Sequence, residues 1–143
     1  MITSRAAARS LVLLCAMTLA SCSMMPGAGS DGNRLTLSGS QEVPPVPTSA
    51  SGTGTITVGA DGTVTGTVTT TGITSTVAHI HTGAPGTNGP VIVPLAKAGE
   101  TYTVPPGAKL TDAQMSSWRQ GNLYVNVHSA KYPGGEIRAQ LKP

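Results

Sequence analysis

Only three histidines occur among the 143 residues, and two of them, His79 and His81, stand two apart in Ala78-His-Ile-His-Thr82. Successive side chains of a strand alternate between its faces. The pair therefore shares one face with α-carbons about 6.5 to 7 Å apart, a spacing that can chelate a metal ion. The third, His128, ends the run Leu123-Tyr-Val-Asn-Val-His128. Tyr124, Asn126 and His128 share one face of that run, and Leu123, Val125 and Val127 share the other. After a Pro133-Gly-Gly135 turn, Glu136, Arg138 and Gln140 oppose Ile137, Ala139 and Leu141 in the same way. If a strand over 76–81 lies beside this hairpin, His79, His81 and His128 converge with Glu136 nearby. Two readings stay open. One is a copper or zinc site, because neutral imidazole is a favoured ligand of both and three histidines leave a position open for a further ligand. The other is a hydrogen-bonded polar cluster of Tyr124, Asn126, Glu136 and Arg138 around histidines that bind nothing.

Other chemistry finds little support. Asp31, Asp61 and Asp112 fall in a tether, a turn and a helix start. Glu42, Glu100 and Glu136 remain as carboxylates, without an obvious acid–base pair. No serine sits in a nucleophile turn. Gly83-Ala-Pro-Gly-Thr-Asn-Gly-Pro90 lacks the lysine and the strand-to-helix setting of a phosphate loop, and reads as a wide β-loop. Gln41-Glu-Val-Pro-Pro45 suits a polyproline-type ligand or, more simply, a bend at a strand end. Met24 and Met25 offer thioethers to Cu(I), or serve only as apolar tether residues. No enzymatic activity is expected.

The elements that must position these groups are strands. The chain is rich in threonine, valine and glycine, with only 10% charged residues. Between 53 and 69, Ile56, Val58, Val64 and Val68 share one parity and seven threonines the other, with Asp61-Gly62 as the turn between two strands. Further strands are expected at 34–39, 76–81, 90–95, 100–104, 122–128 and 135–141. One short helix interrupts them near 111–120. Thr111 and Gln114 have the spacing of a capping box, Leu110 and Met115 that of a hydrophobic staple, and Gly121 is placed to end it. Met115 and Trp118 then anchor the core. An all-β, antiparallel β-sandwich results, similar to the immunoglobulin and superoxide-dismutase folds. The His-x-His strand is also similar to that of copper-zinc superoxide dismutase. Three histidines cannot supply its dinuclear site, however, so that activity is rejected.

Ahead of this body lie Arg5 and Arg9 and the apolar run Leu11–Ala20, the charged and apolar regions of a secretory signal. The run is about half the roughly 20 residues that a membrane span requires. Leu19-Ala-Ser-Cys22 resembles the lipobox of bacterial lipoproteins, which implies a signal peptide over 1–21, a mature chain starting at Cys22 and a lipid on its thiol. Residues 22–32 are then the lipidated cysteine and a flexible tether of Gly, Ser and Pro. Ser23, being non-acidic, implies outer rather than inner membrane if the source is Gram-negative. Cleavage removes Cys15 and lipidation consumes Cys22, so no disulfide is expected. It also removes two of nine basic residues against six acidic ones, so the formal charge falls from +3 to +1. Nucleic acid is excluded as a partner on that ground.

Three segments resemble the CHRD domain, the module named for its repeats in chordin and found singly in many bacterial secreted proteins. They are Leu37-Ser-Gly-Ser-Gln-Glu-Val-Pro-Pro45, Ala78-His-Ile-His-Thr-Gly-Ala-Pro-Gly-Thr-Asn-Gly-Pro-Val91 and Leu123–Leu141. They follow the family's order and span nearly all of residues 33–143. Departures occur at Ala139, where the family commonly has glycine, and at Gly134, an added turn residue. The resemblance implies an extracytoplasmic β-sandwich but no general activity. The expected role is a non-enzymatic, membrane-anchored binding or structural module of the cell envelope. Its partners would be the membrane, through the lipid, and an unidentified envelope protein or glycan. The alternative is a periplasmic copper- or zinc-binding protein.

Overall fold

The computed structural model describes Met1 and residues 34–143; residues 2–33, on which the expected export signal, Cys22 and the expected tether fall, lie outside the described residues. Nine strands follow one another: β1 (Arg34–Ser38), β2 (Ser51–Val58), β3 (Val64–Thr71), β4 (Ser75–Thr82), β5 (Val91–Pro94), β6 (Ala96–Ala98), β7 (Thr101–Thr103), β8 (Leu123–Ser129) and β9 (Ile137–Gln140). Among the described residues one α-helix, α1 (Asp112–Arg119), lies between β7 and β8, and a single 3-10 turn, Gly39–Gln41, follows β1. All pairings are antiparallel, in a single sheet of order β5-β4-β8-β9-β1-β2-β3-β7-β6. The two terminal strands, β5 and β6, are separated in sequence by Leu95 alone. The chain therefore steps from one end of the sheet to the other, and the sheet nearly closes on itself. Leu95 N–H donates to Ala78 O at 3.0 Å and the Lys97 ammonium to Ser75 O, tying β6 back towards β4. Strand β1 meets β9 through a single bridge, Ser38 to Arg138.

The all-β antiparallel architecture with one short helix follows the expectation. The β2–β3 hairpin turns where Asp61 Oδ1 accepts from Thr63 N–H at 3.0 Å and Gly62 takes φ +85. Thr53, Thr57, Thr65, Thr67 and Thr69 face solvent, while Ile56, Val64 and Val68 are buried, Val58 is half-buried and Thr70 is buried with its hydroxyl donating to Glu100 O. The capping box of α1 is present in both halves, Gln114 N–H to Thr111 Oγ1 at 3.3 Å and Thr111 N–H to Gln114 Oε1 at 2.8 Å. Gly121, at φ +71, follows its end. Met115 and Trp118 seat the helix on the core with Leu37, Ile80, Leu123, Val127 and Ile137.

Two features differ from expectation. The segment over 90–95 does not remain one strand, since β5 ends at Pro94 and the short β6, unforeseen, pairs with β7. Moreover, β8 is buried on both faces along its whole length. Its apolar side chains enter the main core. Its polar face is covered by the loops 83–90 and 130–136, whose backbone groups accept or donate to it, and by the loop 39–48, which brings the Glu42 side chain to Asn126. Alternation alone predicts which residues share a face, and not whether loops will fold over that face. Among the described residues no helix is long and apolar enough to cross a membrane.

A candidate metal centre on the covered face of the sheet

Strand β4 pairs with β8, so that His81 lies opposite Tyr124, His79 opposite Asn126 and Ala78 opposite Val127. The register is shifted between Ser75 and Ala78. The adjacent pair and the distant His128 thereby meet on one face: one ligand-type nitrogen from each of His79, His81 and His128 lies within 4.8 Å of the other two.

Their hydrogen bonds set the tautomers. A carbonyl can only accept, so His81 donates from Nδ1 to Gly89 O at 3.0 Å and His128 from Nδ1 to Pro133 O at 2.9 Å. The Nε2 atom of each is then a lone pair, the form a metal requires, and the backbone carbonyl fixes the ring's direction. His79 Nδ1 sits 3.1 Å from His128 Nε2. Bonds of about 2.0–2.1 Å at tetrahedral angles place neighbouring ligand nitrogens about 3.3–3.4 Å apart. That pair is already at ligand spacing. His81 Nε2 is buried and has no hydrogen-bond partner. Buried polar atoms are seldom left so, and an orphaned imidazole lone pair beside two more imidazoles fits an ion.

Electrostatics agree. Burial depresses the pKa of all three imidazoles from the ordinary histidine value of 6.5. For His79 the charges that His128 and His81 would carry depress it further. For His81 the bonds to Gly89 O and to the Asn126 side chain, and for His128 the bond to Pro133 O, partly oppose burial. The rings are held neutral, as ligands must be. A stack supports one of them: Tyr124 lies parallel to His81, with centroids 4.7 Å apart and planes at 6°, and the Arg138 guanidinium covers Tyr124 at 3.5 Å. Arg138, only 1% exposed, donates to Asn88 Oδ1 at 3.1 Å and to Gln140 Oε1 at 3.2 Å. The Gly83–Pro90 loop is drawn in from above, Gly89 N–H donating to the Tyr124 hydroxyl at 3.2 Å.

Tyr124, Asn126 and Arg138 thus belong to the surroundings of the histidines. Glu136 is engaged elsewhere: its carboxylate accepts from Thr48 Oγ1 at 2.7 Å and from Ser129 Oγ, which ties the 39–48 loop to the end of β8. The acid that sequence reasoning left aside is Glu42. It is 4% exposed, and its Oε1 is buried near the Asn126 amide, within reach only of a loose bond from that side chain. Burial raises its pKa above the ordinary 4.5, with the charge of Arg138 and a bond from Asn126 opposing. Its signal lay in Gln41-Glu-Val-Pro-Pro45, read above for its prolines rather than for its acid.

A family model described as the CHRD domain matches residues 34–141. No curated protein and no solved structure matches the chain.

Proposed function

The chain belongs to the CHRD-domain family, and from that premise we propose that it is an exported, lipid-anchored, non-enzymatic protein of the cell envelope. Its domain binds one copper or zinc ion through His79, His81 and His128. A single observation carries the metal reading. Two of the three imidazoles have Nδ1 committed to backbone carbonyls, which leaves Nε2 as a lone pair, and one ring nitrogen from each of the three histidines lies within 4.8 Å of the other two. In the neutral ring the His81 Nε2 lone pair has no donor, and the neighbouring Asn126 Oδ1, itself unpartnered, is an acceptor that only a charged ring could serve; an ion satisfies the lone pair directly. The donor set, three neutral imidazoles, suits copper and zinc rather than magnesium or calcium, which prefer oxygen. The single bridge from β1 to β9 supports reading the nearly closed sheet as two facing layers, the sandwich expected from the sequence.

The anchor follows from the lipobox-like Leu19-Ala-Ser-Cys22 and places the metal site outside the cytoplasm, on the outer membrane if the source is Gram-negative. Expression with Cys22→Ser is expected to release the protein from the membrane fraction; unchanged retention refutes the anchor. For the metal, the full chain in detergent is titrated with Cu(I), Cu(II) and Zn(II). Sub-micromolar binding of at least one ion, abolished in the triple variant His79→Ala, His81→Ala, His128→Ala, is expected. Failure of every ion to bind ends the metal reading.

A second role, as a binding module for an envelope protein or glycan, is favoured by a groove of about 270 Å³ between Val43, Pro44, Val46, Tyr132 and Pro133. Tyr132→Ala is expected to abolish capture of any specific envelope partner, and equal capture by the variant argues against the groove.

A further inference from the structure

The three imidazoles are not equivalent. His81 and His128 are each 7% exposed and have Nδ1 bonded to a backbone carbonyl, and His81 is further clamped by the Tyr124–Arg138 stack. His79 is half-buried, and the hydrogen bond recorded for its ring is the one to His128 Nε2. That bond must break when an ion enters, because its acceptor lone pair is one the ion takes. Two ligands are therefore anchored to the backbone, while the third, packed edge-on against both, has no bond to a backbone carbonyl.

The surface beside that third ligand is distinctive too. Within residues 34–143 the exposed large hydrophobic side chains are Val77 and Val91, at 45% and 48%. Val77 lies two residues before His79 on β4, and Val91 pairs opposite His81 on β5. Exposed Pro94 pairs opposite His79 itself. Scattered exposed valines mean little singly. Here both flank the same two histidines, and none of the three rim residues carries a charge.

We propose that His79 is the exchange ligand of this centre: the ion arrives and departs by substitution at His79, across the uncharged rim of Val77, Val91 and Pro94. The inference rests on the metal reading above and makes the domain a donor or acceptor of metal rather than a sealed store. On entry, the ion bonds to His81 Nε2 and His128 Nε2. The His79 ring then joins through Nδ1, its proton passing by way of solvent to Nε2, so the ring stays neutral and no redox change occurs. On departure, a donor atom of the recipient bonds to the ion as the bond to His79 breaks, after which His81 and His128 release it in turn. The suitable counterpart presents its own nitrogen or sulfur donor at an uncharged surface.

The test uses the full chain in detergent, loaded with Cu(I) and challenged with the anionic chelator bicinchoninate, or with Zn(II) and pyridylazoresorcinol. Equilibrium titration comes first. If neither ion binds, the metal reading fails and this inference falls with it. If an ion binds, transfer by stopped flow is expected to rise linearly with chelator concentration. His79→Ala is expected to lose about tenfold less affinity than His81→Ala or His128→Ala, because an unclamped ring gives up more side-chain freedom on ligation. Val77→Glu with Val91→Glu is expected to slow transfer to the anionic chelators at least about fivefold relative to the neutral variant Val77→Gln with Val91→Gln, by like-charge repulsion along the route. The remote surface variant Thr67→Glu is expected to leave the rate unchanged. Transfer independent of chelator concentration, equal losses at the three histidines, or insensitivity to the rim charges overturns the proposal while leaving metal binding intact.

Discussion

Replacing His128 by alanine separates a metal ligand from a mere member of a polar cluster, because the two roles predict different free energies. In either role the variant loses the bond from Nδ1 to Pro133 O and strips His79 Nδ1 of its partner, about 1–3 kcal/mol of stability for the metal-free protein. Only a ligand also carries metal-dependent stability. An ion at 1,000 times its dissociation constant, binding the folded chain alone, adds about 4.1 kcal/mol. Four-ligand structural sites bring about 10–16 kcal/mol, about 3–4 per ligand, so one deletion weakens binding by a factor of about 10² to 10³. At the same ion concentration the variant keeps about 0.4–1.4 kcal/mol. With about 5 °C per kcal/mol for a domain of this size, the metal should raise the wild-type midpoint by about 20 °C and that of His128→Ala by about 2–7 °C. The assay is thermal unfolding of each protein with and without the ion. Each variant is its own reference, so the metal-free loss cancels. A wild-type shift below about 2 °C, or an equal shift in the variant, refutes the ligand assignment.

Three further outcomes follow from the surroundings of the site. The folded-state pKa values of the three histidines lie below 6.5, so the unfolded chain binds more protons on acidification. Their contribution to stability is therefore full above 6.5 and lost as the pH falls through the depressed values. Metal release should accompany the same fall, and a pH-independent midpoint between 4 and 7 in the metal-free protein contradicts this. Glu42 has the opposite sign: its raised pKa favours the proton-bound folded form, a contribution lost as the pH rises through that value. Glu42→Gln, which imitates the neutral acid, should stabilise the protein in denaturant at pH 8 and be nearly neutral at pH 4; destabilisation at pH 8 counts against it. Finally, a Cβ on Gly89 would lie 1.8 Å from Thr82 O. Gly89→Ala must therefore displace the carbonyl that orients His81 and weaken metal binding by about 10- to 100-fold. Circular dichroism should show the sheet unchanged, and undiminished affinity rules out the orienting role.

The residues told by themselves what their local spacing controls. Alternation around Asp61-Gly62 announced β2 and β3, because a period of two is a property of any strand. Thr111 and Gln114 announced the start of α1, because a capping box closes within one turn. His-x-His put His79 and His81 on one face for the same local reason. What lies between distant segments was decided by tertiary structure. Whether His128 joins the pair depends on β4 lying beside β8, a pairing 49 residues apart that no local pattern encodes. The fate of the two acids depends on it as well. Glu136 was close to the histidines on the strand diagram, yet Thr48 and Ser129 claim its carboxylate, while Glu42 arrives beside Asn126 because the 39–48 loop folds over β8. The same closure buries the polar face of β8, and with it sets the tautomers through Gly89 and Pro133, two carbonyls whose roles no side-chain pattern could announce.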